Sequence, residues 1–306
     1  MVVFARQAVI IARNMDNKGL IDIVYQGIPG SYSEASLREF CALHNIQVNP
    51  VEERGFFEGL FDSIVNKTSL GWVPVSNSHA GTVHQAIDMF LEHDVEILAE
   101  YYFDVNHCLA VTPGTSLDQV KTAYSHPQAL AQCSDYLIDK RIATLTFHDT
   151  AAAAEMVAEK GDSEKAAICS ELAAKIYGLD ILEKKIQNDA DNVTRFLLVK
   201  RRDAQFDFEE DLQTNGDTEY KTTTIFSAKE EAGYLYRCIS GFAGANINMS
   251  KIESRRISHG EHDYLFYLDY DRKLDDPGSQ GALVVLNQHS DMVRVLGSYP
   301  KFKKEQ

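Results

Sequence analysis

The sequence predicts an α/β protein with a mainly parallel sheet, followed by a separate small α+β domain. Up to about residue 200, short β-rich runs alternate with helical runs, the pattern of strands wound through helical crossovers. Residues 201–220 then turn acidic and polar around Asn215-Gly216-Asp217, which places a linker at 203–220. Beyond it, residues 221–300 read in the order βαββαβ.

Taken in order, residues 21–25 are a β-rich run, 27–33 a turn and 34–44 a helix. Residues 70–75 and 83–91 repeat the strand and helix around a polar loop. Residues 121–124 feed Ser125-His126-Pro127, and Pro127 suits a first helical position because it has no N–H to leave unpaired. Asp149-Thr150 precedes an alanine-rich helix at 151–160, which Gly161 stops. Residues 166–169 read as a short buried strand, Ser170 as a helix cap, and 196–199 as a last strand. In the second domain the strands are 221–227, 247–254, 264–270 and 293–296, with a turn at His259-Gly260. Its helices are 232–243 and 281–287. Residues 1–20 form an extension and 301–306 a tail. The opening stretch carries Arg6 and Arg13 with no acid before Asp16, which weakly resembles an organellar presequence; a frayed extension is the blander reading.

A chain of 306 residues has room for two or three domains with real cores. Its net charge of −15, without a dense Lys/Arg run, argues against nucleic acid, whose phosphates need a basic face. Lys200-Arg201-Arg202 is followed by Asp207, Glu209, Glu210 and Asp211 and reads as a solvated linker. Five cysteines without CxxC spacing fit a reducing cytosol, with organellar import left open. No stretch has the length of a membrane-spanning helix.

Chemistry is expected at four strand-to-helix junctions: Gly30-Ser31-Tyr32-Ser33, Ser76-Asn77-Ser78-His79-Ala80-Gly81, Ser125-His126-Pro127-Gln128 and Asp149-Thr150-Ala151. Helix N-termini offer free N–H groups and a positive dipole end, and such junctions gather at the carboxyl edge of open α/β sheets. Together they point to a small carboxylate-bearing ligand. Singly, each Ser or Asp is by default a cap worth about 1 kcal/mol. Gly27-Ile28-Pro29-Gly30 is not a dinucleotide fingerprint, and His259 with His262 lacks a surrounding ligand set. Neither a cofactor nor a metal is expected.

At these same loops the sequence resembles the prephenate dehydratase family, along nearly its whole length. The segment from Tyr25 to Glu34 is similar to that family's first loop. Ser125 to Cys133 (SHPQALAQC) matches a characteristic segment, Asp149-Thr150-Ala151 its DTA loop, and Asn192-Val193-Thr194-Arg195-Phe196 its Thr-Arg-Phe signature. The resemblance implies a bilobed domain like type 2 periplasmic binding proteins over 21–202, with substrate between the lobes. It also implies an ACT domain over 221–300 that binds phenylalanine as effector, and assembly as a homodimer or homotetramer. Thr194 would donate a proton or hydrogen bond to a departing hydroxyl, and Arg195 would pair with a substrate carboxylate. Ser31, Asn77, Ser78, Gly81, His126, Gln128, Thr150, Ala151 and Phe196 would line the substrate, although Phe196 also reads as core. Gly233, Tyr234, Leu235, Glu253, Ser254 and Arg255 would line the effector.

Two departures matter: Ser76 stands where the family has Glu, and Arg256 where it has Pro. Geometry adds a constraint, because Thr194 and Arg195 point to opposite faces of a regular strand. Only an irregular strand start near 189–192 would bring both to the cleft; the alternative for Arg195 is an interior ion pair. Rival functions are arogenate dehydratase, the same chemistry on the amino-acid form of the substrate, and a non-catalytic amino-acid sensor.

Overall fold

The computed structural model describes residues 20–212, 219–256 and 264–303. The presequence reading and the turn at 259–260 lie outside the described residues.

The first lobe contains β1 (Ile21–Gln26), α1 (Tyr32–Leu43), β2 (Val48–Glu53), α2 (Phe57–Ser63), β3 (Leu70–Asn77), β4 (Gly81–Thr82), α3 (His84–Glu92) and β5 (Val95–Asp104). The second contains β6 (Cys108–Val111), β7 (Thr122–Ser125), α4 (Pro127–Gln132), α5 (Ser134–Lys140), β8 (Ala143–Thr146), α6 (Thr150–Lys160), β9 (Lys165–Cys169), α7 (Glu171–Ile176) and β10 (Asp180–Lys184). The chain then returns to the first lobe as β11 (Val193–Arg201) and the short α8 (Glu209–Leu212). The lobes are therefore joined by two crossings, the bilobed arrangement expected.

Both sheets are more mixed than the alternation of runs suggests. The first has the order β2-β1-β3-β11-β5, with β4 on the end of β3. Here β1 is parallel to both neighbours, whereas β11 is antiparallel to β3 and β5 because it enters from the other lobe. The second has the order β10-β6-β9-β7-β8, with β6 antiparallel to β9 and β10.

Strand β11 shows why its residues read as a continuous apolar run: both its faces are buried. Phe196 and Leu198 pack with Trp72, Phe40 and Tyr101 under α1. Trp72 is fully buried, stacks on Phe196 at 5.6 Å, and donates its indole N–H to Ser36 Oγ at 2.8 Å. Leu197 and Val199 face the other way, into a core with Phe61 and Phe90 of α2 and α3.

The C-terminal domain contains β12 (Tyr220–Ala228), α9 (Tyr234–Gly244), β13 (Met249–Arg256), β14 (Tyr264–Tyr270), α10 (Pro277–His289) and β15 (Val293–Pro300). Its sheet is antiparallel in the order β13-β14-β12-β15. Phe226, Cys238, Phe242, Leu268 and Leu286 form its own core beneath the two helices. The opposite face lies on the first lobe: Ile225, Leu265, Tyr267, Leu296 and Tyr299 share one core with Val73, Val75, Ile97, Leu197 and Val199. A Cβ on Gly297 would run into the Ile97 carbonyl oxygen, so β15 sits tightly on β5.

The segment after β11 is not a solvated linker. Phe208 and Leu212 are buried in the core under α1, and the buried Lys200 ammonium pairs with Glu209 at 2.8 Å. The acids expected to keep this stretch in water include Glu209, which ties it to the lobe.

Candidate active site

Asn77 ends β3 directly opposite Thr194 at the start of β11. Its amide donates to Thr194 Oγ1 (3.0 Å) and to Asn192 Oδ1 (2.8 Å), and its oxygen accepts the N–H groups of His79 and Ala80. Ser78 completes the clamp, donating to the Asp191 carbonyl (2.7 Å) and accepting from Val193 N (3.0 Å). Gly81, at φ +78°, closes the turn into β4 in a conformation that favours glycine. The Asn77 bond uses a lone pair of Thr194, so it leaves the hydroxyl hydrogen available for donation and polarises it.

From this clamp a hydrogen-bonded chain crosses the lobes. Asn192 donates to Gln132 Oε1 at the end of α4 (3.1 Å), and His107 Nε2 lies 2.8 Å from the same oxygen. The other ring nitrogen of His107 is 2.6 Å from the Tyr32 hydroxyl at the start of α1. Burial lowers the His107 pKa below its ordinary 6.5 and so favours the neutral ring. Its partners assign the proton to Nε2, facing Gln132, with Nδ1 accepting from Tyr32. Gln132 and Asn192 stand inside family-like motifs to which the sequence assigns them no role, and His107 was missed. The available signal was polar residues beside apolar strands at both lobe crossings.

Helix starts do less than expected. Ser31 caps α1 by accepting from Glu34 N (3.4 Å), and Gly30 N donates to the buried Glu34 carboxylate (2.7 Å). His126 accepts from Gln128 N through its ring (3.3 Å). The Asp149 carboxylate takes the N–H groups of Ala151 and Ala152 at 2.8 and 3.0 Å. At Thr150-Ala151 an internal anion already occupies the positive end of the helix, so Ala151 offers no free N–H to a substrate anion. The capping reading prevails there.

Arg195 is not brought to Thr194. The pleat turns it to the opposite face, where it is 4% exposed and lies 2.9 Å from Glu100 and 2.5 Å from Asp269 of the C-terminal domain. Thr194 and Arg195 pair in succession with Asn77 and Ser76 on one side and with Phe103 and Tyr102 on the other; the register shift against β3 comes only after Arg195, so no irregularity brings both side chains to one face. Asp269 and its neighbours outweigh the cost of burial and hold the guanidinium well above its ordinary pKa. The interior ion pair is therefore the correct reading of Arg195, and it replaces pairing with a substrate carboxylate. Phe196 is likewise core, 2% exposed against Trp72, and not a substrate contact. Ser76 pairs in register with Arg195, so it too faces away from Thr194.

The six expected effector residues divide between two faces of the C-terminal sheet. Gly233 (φ +75°), Tyr234 and Leu235 begin α9 on the helix side. Ser254 is exposed, next to Arg256, which reaches Glu230 near the start of α9. Glu253 and Arg255 face the first lobe instead: Glu253 accepts from Thr82 Oγ1 (2.9 Å), and Arg255 grips Asp88 of α3 at 3.1 and 2.7 Å. Strand alternation separates these two from the other four. A cavity of about 950 Å³ lies between α1, β5 and Phe302, and its lining includes neither Asn77 nor Thr194.

The family profile for prephenate dehydratase matches residues 23–204. The chain belongs to the prephenate dehydratase family. This dehydratase, a carbon–oxygen lyase, is 39% identical over 299 residues to the chloroplastic arogenate dehydratase/prephenate dehydratase 1 of Arabidopsis thaliana, covering 92% of this chain and 72% of that one. Its fold matches the prephenate dehydratase of Arthrobacter aurescens, solved in complex with L-Phe, at a TM-score of 0.80 and 26% identity over 92% and 90% of the two chains. A structure described as GqqA, a quorum-quenching acylase, matches with a TM-score of 0.80 and 30% identity over 91% and 97%. One fold thus carries more than one stated activity, and the reaction has to be argued from the site. No helix among the described residues is long and apolar enough to cross a membrane.

Proposed function

We propose that the protein converts prephenate to phenylpyruvate, with Thr194 as the donor to the departing hydroxyl. Breaking the bond to the ring carboxylate releases CO2 and sends its electron pair into the ring. The ring hydroxyl leaves with a proton as water, and the ring becomes aromatic. Aromatisation drives the reaction, but hydroxide leaves poorly without a positioned donor. The single observation that carries this reading is the Asn77–Thr194 bond, which holds the threonine oxygen and frees its hydrogen. Water returns the proton to Thr194 after turnover. Asn77, Ser78 and Gly81 hold the loop at the cleft, while Ser31, His126, Gln128 and Thr150 edge it from the other junctions.

The names of the plant relatives support arogenate as a second substrate. The L-Phe complex of the bacterial relative supports the C-terminal domain as an ACT domain sensing phenylalanine. Within it, Gly233, Tyr234, Leu235 and Ser254 share the helix side and are the residues assigned to that ligand. Turnover of prephenate and of arogenate by the full chain, beside Thr194→Ala, tests the reading. Phenylpyruvate formation that collapses in the variant supports it; folded protein that turns over neither compound refutes it.

A further inference from the structure

Four charged side chains meet between the C-terminal domain and the first lobe, two from each. Arg195 and Glu100 come from β11 and β5, and Asp269 and Lys221 from β14 and β12. All four are buried. Arg195 donates to Asp269 (2.5 Å) and to the Tyr299 hydroxyl (2.9 Å), and Thr223 donates to the other Asp269 oxygen (2.6 Å). Lys221 reaches Glu100 at 2.7 Å. Arg195 is the residue next to Thr194, so this network grips β11 one peptide from the candidate donor.

A second grip lies on the other side of the same site. Thr82 pairs with Ser76 in the β3–β4 hairpin, and Asn77 pairs with Gly81. Lys251 of β13 donates to Thr82 Oγ1 (2.9 Å), which in turn donates to Glu253 (2.9 Å). The C-terminal domain therefore holds β11 directly at Arg195 and reaches β3 through β4, the strand paired with its end. The shared apolar core and the close seat of Gly297 on Ile97 leave little room for it to slide without moving them.

We propose that Arg195 is a positioning residue: bonded to Asp269, it lets the C-terminal domain set where Thr194 stands relative to Asn77. The proposal rests on the reading of Thr194 as donor. Asp269→Asn keeps the shape and removes the C-terminal domain's charge on the guanidinium, leaving Glu100 of the first lobe. Because Thr194 acts on bond breaking, the variant lowers kcat by about tenfold or more and leaves KM within about twofold, the size expected when a donor is slightly misplaced.

The deciding experiment is a double-mutant cycle on the full-length protein with Thr194→Ala and Asp269→Asn, following phenylpyruvate release. If Arg195 works through Thr194, Asp269→Asn lowers wild-type turnover but hardly changes the residual rate of Thr194→Ala. Losses that multiply, a rise in KM with kcat unchanged, or wild-type turnover in Asp269→Asn would overturn the proposal. Should Asp269→Asn fail to fold, Tyr299→Phe, which removes one hydrogen bond to Arg195, takes its place in the same cycle with the same outcomes. Wild-type turnover in Thr194→Ala alone would instead remove the functional reading on which the proposal stands.

Discussion

Replacing Thr194 by valine removes one hydroxyl and keeps the branched shape of the side chain. In the folded protein the loss is a single accepted hydrogen bond, because the Asn77 amide retains Asn192 Oδ1 at 2.8 Å and the Val193 carbonyl at 3.3 Å. One such bond contributes about 0.5–1.5 kcal/mol, a melting shift of a few degrees at most for a chain of this size. Turnover should respond on another scale. A positioned proton donor accelerates a reaction by roughly 10²–10⁴-fold, which corresponds to about 3–5 kcal/mol of barrier. An interaction made only in the transition state lowers kcat and kcat/KM together and leaves KM in place. The assay is initial phenylpyruvate formation across a prephenate range, with thermal melts on the same preparations. A variant that melts normally and retains kcat within about tenfold of wild type would refute Thr194 as donor.

Two further outcomes follow from packing and burial. Gly297→Ala overpacks β15 against β5 and should cost about 1–3 kcal/mol in calorimetry, whereas Gly244→Ala, with open space at its Cβ in α9, should be neutral or stabilising by up to about 1 kcal/mol. Equal melting of the two variants would contradict the tight domain seat. His107→Gln tests a linkage. Burial depresses the folded pKa of His107 below 6.5, so the unfolded chain binds a proton first as pH falls. The stability contribution of the neutral ring is complete above about pH 6.5 and is lost as pH drops towards the folded pKa. The variant should therefore lose less stability than wild type between neutral pH and about pH 5, and parallel stability–pH curves would count against the assignment.

Much of this was legible in the sequence because it rests on local chemistry. Asp149 before the alanine run and Gly161 after it bound α6 where capping rules put them, and Pro127 opens α4. The family resemblance implied Thr194 as donor and Asn77 as a substrate contact; the bond that joins these two side chains was not foreseen. What escaped was non-local. The partners of Arg195 sit at Glu100 and Asp269, positions that no spacing rule connects with it. The strand pleat did warn that Thr194 and Arg195 diverge, and it proved the better guide than their adjacency in a motif. Ser76 changes meaning for the same reason. Sharing the Arg195 face, a carboxylate there would have looked towards the C-terminal domain rather than the cleft.

The position of β11 in its sheet also sets a timetable for making the protein. The second lobe, residues 105–192, is one unbroken stretch with its own apolar clusters and can close as soon as it leaves the ribosome. The first lobe is begun earlier but finished later, because the gap between β3 and β5 stays open until residue 201 has been made. At about 5–20 residues per second, that leaves edge strands and an apolar face unpaired for roughly 5–20 seconds. Even then, the part of the Leu197 and Val199 face that α2 and α3 do not cover waits for β15 at residues 293–300. A nascent chain stalled between β11 and β15 would carry that remaining apolar surface, and is the stage at which chaperone capture should be greatest.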